Sequence, residues 1–121
     1  MSRATQAYAQ TQIAGQSPRD LEASALMKAA ARLQAAAEST RPGSPDYDAA
    51  LTHNRRLWSV LAGAVADPIS PLPEALKGQI LTLATFIFTQ TLRATAEPSA
   101  AALASLIRIN RELAAGLRGN G

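Results

Sequence analysis

The run GQILTLATFIFTQTL, Gly78 to Leu92, carries no charged residue in a chain otherwise dotted with them, and whether it is strand or helix decides the fold. Strict alternation fails, because Leu81, Leu83, Phe86, Ile87 and Phe88 do not keep to one parity. A 3.6-residue wheel sorts them better: Leu76, Ile80, Leu83 and Ile87 form one stripe, and Leu81, Ala84, Phe88 and Leu92 the next. As a helix the run spans about 22 Å, too short for a bilayer and suited to a small bundle. The remaining arc carries Thr82, Thr85 and Thr89 with Phe86 beside them, and nothing there needs bulk water. The expectation is a central helix covered on most sides, in an all-α domain.

Working outward, the 121 residues make one domain, with a polar arm over 1–16 and a helical bundle over 17–118. Four main helices are expected, near 18–39, 45–66, 72–94 and 98–117, in a compact bundle with a short N-terminal helix or arm. In the arm only Tyr8 and Ile13 are large and apolar, too little to hold a helix on its own. Ser17-Pro18-Arg19-Asp20 opens the first main helix with a Ser cap, Pro at the first position and an acid three residues after the cap. Its inward stripe is Leu26, Ala29, Ala30, Leu33, Ala36 and Ala37, which suits either a close seam or a shallow groove for a partner helix. Ser44-Pro45-Asp46 starts the next helix by a similar device, with Tyr47, Leu51, Trp58, Leu61 and Val65 on one face. Asp67 to Pro73 is too proline-dense to be helical.

Two segments echo each other: Asn54-Arg55-Arg56-Leu57 and Asn110-Arg111-Glu112-Leu113. Each Asn sits in the middle of an apolar stripe, the second built from Leu103, Leu106, Ile107, Leu113, Ala114 and Leu117. Burying an amide without partners costs on the order of 1–3 kcal/mol. Either the two amides bond each other or a loop carbonyl and fix the register of the bundle, or one or both face a bound helix with Arg55, Arg56 and Arg111 on the rim. In the second case the binding surface is the seam carrying Trp58 and Leu61 on one side and Leu106, Asn110 and Leu113 on the other.

Composition narrows the chemistry. There is no cysteine and one histidine, His53, so Cys-based metal or disulfide sites are ruled out. A nucleophile–histidine pair would have to use His53. No glycine-rich phosphate loop occurs and carboxylates are scattered, so no catalytic, metal or cofactor site is expected and an enzyme is not. The net charge of +3 is spread out and aromatics are scarce, which argues against direct nucleic-acid contact. With no basic start ahead of an apolar core and no membrane-length run, a cytoplasmic protein away from membranes is expected. Oligomeric state is left open.

The segments SPRDLEASALMKAAARL, ALTHNRRLWSVL, PLPEALKGQILTLATFIF and LIRINRELAAGLRG, in this order and spacing, resemble the FlaF family of alphaproteobacterial flagellar proteins. The resemblance runs from Tyr8 to Gly119, and its most specific parts are Asn54-Arg55-Arg56-Leu57-Trp58 and Ile109-Asn110-Arg111. It implies a regulator of flagellum assembly that binds the terminal helices of flagellin as a secretion chaperone, supports flagellin synthesis, and is functionally linked to FlbT. An RNA-associated regulator of flagellin messenger, or a structural flagellar component, are the alternatives.

Overall fold

The computed structural model describes residues 17–120; the arm expected over 1–16 lies outside them. Four α-helices follow one another: α1 Pro18–Ser39, α2 Pro45–Ala66, α3 Glu74–Ala96 and α4 Ala104–Ala115. A 3-10 turn, Ala101–Leu103, precedes α4, and a π turn, Gly116–Asn120, ends it. Among the described residues there is no strand.

The starts of α1 and α2 are written in their capping residues. The Asp20 amide donates to Ser17 Oγ at 3.1 Å and the Ser17 amide to Asp20 Oδ2 at 3.2 Å, a reciprocal box that satisfies two otherwise unpaired amides. At α2 the Tyr47 amide donates to Ser44 Oγ at 3.3 Å, but Tyr47 stands where an acid would reach back, so the second half of the box is missing. The loop between them turns through Gly43, at φ +82°, where a Cβ would also come within 3.3 Å of Pro98; conformation and space both call for glycine. Helix α3 starts at Glu74, two residues later than expected, because Pro73 disfavours helical geometry at Leu72. The last helix starts later still. Ser99 is held by its amide donating to Tyr47 Oη at 3.2 Å, and its own Oγ accepts from the Ala102 amide at 3.0 Å, so the chain enters through a 3-10 turn.

The uncharged run is helical, but it is not the centre of the bundle. Helix α1 is: it packs against α4 on one side and α2 on the other, while α2 alone carries most of α3, which meets α4 mainly around the 3-10 turn. Alanine explains the placement. Ala23, Ala29, Ala30 and Ala36 are buried along α1, and side chains that small let two neighbours approach one backbone. Leu26 and Leu33, fully buried, stabilise the seam by roughly 1.5–3 kcal/mol each. On α3 only Ile80, Ala84, Ile87, Thr91 and Ala94 are buried; Leu81, Phe86 and Leu92 are 37%, 43% and 71% exposed. The expectation of a helix covered on most sides therefore fails. Lack of charge says only that a helix can be buried, and the alanine stripe decided which one was.

Candidate partner-binding surfaces

Asn54 on α2 and Asn110 on α4 meet in the core, both with no exposed surface. Trp58 Nε1 donates to Asn110 Oδ1 at 2.9 Å, and Asn110 Nδ2 donates to Asn54 Oδ1 at 2.7 Å and to the Leu26 carbonyl of α1 at 3.3 Å. The indole N–H can only donate, so it fixes which way the Asn110 amide points, and Asn110 in turn fixes Asn54. One group is left over: Asn54 Nδ2 is buried without a partner. The node ties three helices together, although α2 and α4 scarcely touch along their backbones. Of the two readings open from sequence, pairing of the amides is what the structure contains.

The same geometry closes the seam expected to receive a partner. Trp58, Leu61, Leu106, Asn110 and Leu113 are all buried, the most accessible of them Leu113 at 8%. Their apolar side chains are core, and an open groove is not formed at this place. Arg55, Arg56 and Arg111 are exposed, turned off the buried stripe by the 100° step per residue of a helix. Arg111 lines a shallow depression of about 520 Å³ between α1 and the start of α4, together with Gln34, Ala37, Ala104 and Ile107. His53 is half-buried, and burial, aided by the nearby Arg32 charge, lowers its pKa below the ordinary 6.5. Both causes favour its neutral form.

Among the described residues, a solvent-reachable apolar groove lies elsewhere. Leu21 and Val65, with Ile69, Pro71 and Leu72 from the proline-rich loop, line a hollow of about 740 Å³ between the start of α1 and the end of α2. It runs past Leu21, Glu22 and Ala64 into a second hollow of about 220 Å³, floored by Ala25 and Leu57 and edged by Val60. Val60 is 72% and Ile69 86% exposed. The loop is shaped by Asp67, whose Oδ1 accepts from the Ile69 amide at 3.0 Å and whose carbonyl accepts from Ser70, an Asx turn that holds Ile69 outward. Arg19, Glu22 and Asp67 supply charge at the margin, and Arg56 is one helical turn before Val60 on α2. Glu22 is half-buried, and that desolvation raises its pKa above the ordinary 4.5 against the pull of Arg19. Sequence reading passed over this surface because Val60 and Ile69 belong to no periodic stripe. The available signal was a bulky apolar residue set among prolines, where no core position calls for one.

Among the described residues no three of His, Cys, Asp or Glu are grouped to hold a metal ion, and no helix is long and apolar enough to cross a membrane. A family model described as "Flagellar protein FlaF" matches residues 4–117. Neither the curated proteins nor the solved structures contain a match.

Proposed function

The chain belongs to the FlaF family of flagellar proteins, and from that premise we propose that it is a cytoplasmic, non-catalytic binder of flagellin. It shields an amphipathic terminal helix of flagellin before export and so supports flagellin production alongside FlbT. The observation that carries this reading is the groove along α1, α2 and the Asp67–Pro73 loop. It is a trough floored by Leu21, Ala25, Leu57 and Leu72, with Val60 and Ile69 standing exposed at its edges. An amphipathic helix laid in such a trough buries its apolar face and leaves its charged flanks at the margin. Aggregation-prone helices need cover that is complementary and reversible, which apolar contact provides without chemistry. The exposed Arg55, Arg56 and Arg111 serve to steer and orient the partner, a role that acts on the rate of association more than on final affinity.

The test is a titration of purified flagellin into the chain and two double variants. Val60→Glu with Ile69→Asp changes only exposed residues and is expected to melt like the parent while affinity falls at least about tenfold, equivalent to 1.4 kcal/mol. Arg55→Glu with Arg111→Glu is expected to slow association in a salt-dependent way. Full affinity in the first variant with loss confined to the second would remove the groove from the account and return the site to the arginine seam.

A further inference from the structure

The line of the groove continues past its apolar lining. Leu21 of α1 and Ala64 of α2 line both hollows, Ala25 and Leu57 line the inner one, and further along Arg32 of α1 lies close enough to His53 of α2 for its charge to act there. The two helices therefore run antiparallel along one trough, and the residues that follow Ala25 and precede Val60 on the same faces extend it. On α1 these are Lys28 and Arg32; on α2 they are Arg56 and His53. Lys28, Arg32 and Arg56 are exposed, and among the described residues none of them is in an ion pair. His53 beside them is held toward its neutral form.

The signs are segregated along the trough. From Ala23 to Ala37 α1 holds two bases and no acid, and from Ala49 to Ala66 α2 holds Arg55, Arg56 and no acid. At the loop end the charged residues lining the hollow are Glu22 and Asp67, with Arg19 opposing them. The site is thus apolar along its floor, net acidic beside the loop and basic at the far end. From Pro18 to Arg32 the trough is about 21 Å long at 1.5 Å per residue, the length of a partner helix of about four turns.

We propose that the flagellin segment held in the groove is an amphipathic helix with carboxylates at one end, and that this end lies over Lys28, Arg32 and Arg56. The inference rests on the groove being the flagellin site and adds the charge and direction of its occupant. Apolar contact alone accepts a helix in either direction, whereas complementary charge at the ends fixes one. Reversal would set the carboxylates against Glu22 and Asp67 and leave three bases unmatched, so the charges oppose the wrong direction as well as favouring the right one. Residues 1–16 of the chain contain no acid and do not match the basic end.

Lys28→Glu with Arg32→Glu is expected to melt like the parent and to lower flagellin affinity at least about tenfold. Lys28→Gln with Arg32→Gln removes attraction without adding repulsion and should lower it less, and both losses should shrink as salt is raised. Direction is read with a synthetic amphipathic peptide of about four turns, bearing Glu at one end and a nitroxide at either end in turn. It should bind more tightly than its counterpart with Gln in place of Glu. The label at the acidic end should broaden the amides of Lys28, Arg32 and Arg56, and the label at the other end those of Ile69 and Ser70. A peptide that does not bind or gains nothing from Glu, or labels that broaden the opposite ends or both ends equally, would overturn the proposal. Flagellin affinity kept in Lys28→Glu with Arg32→Glu but lost in Val60→Glu with Ile69→Asp would overturn it and leave the groove standing; affinity kept in both would overturn the two together. A dimer of the parent chain dispersed by Lys28→Glu with Arg32→Glu would assign the basic end to a second copy instead.

Discussion

Asn110 serves two helices at once, and its value should show in how substitutions combine. Asn110→Leu strands the Trp58 N–H and removes the bond to Asn54, so it is expected to cost about 1–3 kcal/mol. Asn54→Leu should cost less, because it also deletes the unpartnered Nδ2. The double variant should cost less than the two added together, with a coupling of roughly 0.5–3 kcal/mol in urea melts; additive costs would mean the amides act apart. Glu22 makes the opposite kind of contribution. Its folded pKa lies above its unfolded value, so the folded state holds the proton more tightly and stability falls as pH rises through 4.5 and stays lower at neutrality. Glu22→Gln is therefore expected to melt higher than the parent near pH 7 and equally near about pH 3.5, where both states are protonated. A difference independent of pH would assign the effect to packing.

At the level of elements, helix starts were the most legible part of the sequence. Ser17-Pro18 and Ser44-Pro45 placed the beginnings of α1 and α2 because caps act locally, through bonds three residues long. The start of the last helix was less legible because it is set at long range, by Tyr47 donating to the Ala94 carbonyl at 3.0 Å and receiving the Ser99 amide. Order across the bundle was misjudged for a related reason. Periodicity on α3 told which residues share a face, but not how many faces find a neighbour, and that depended on the alanines of α1. The amide pair was visible as two Asn-Arg-x-Leu echoes, and the contact between them needed both helices in place. The groove was not visible at all, since it is made by a loop folding beside two helix ends.

The whole molecule divides its labour in space. One α-helix rich in alanine gathers two neighbours, a buried hydrogen-bonded node sets their register, and among the described residues the exposed large apolar side chains, Met27 apart, fall on two separate surfaces, the loop-edged groove and the outer face of α3. That separation leaves apolar surface reachable from outside while the core stays closed. Its central claim, that flagellin docks in the groove, is tested most directly by mapping amide shifts of the isotopically labelled chain on addition of a peptide spanning a flagellin terminal helix. The account predicts saturable shifts at Leu21, Val60, Ile69 and Leu72, with the amides around Asn54 and Asn110 unmoved because the core stays closed. Shifts confined to Arg55 and Arg111, or to α3 from Leu81 to Leu92, or no shifts at a concentration where intact flagellin binds, would contradict it.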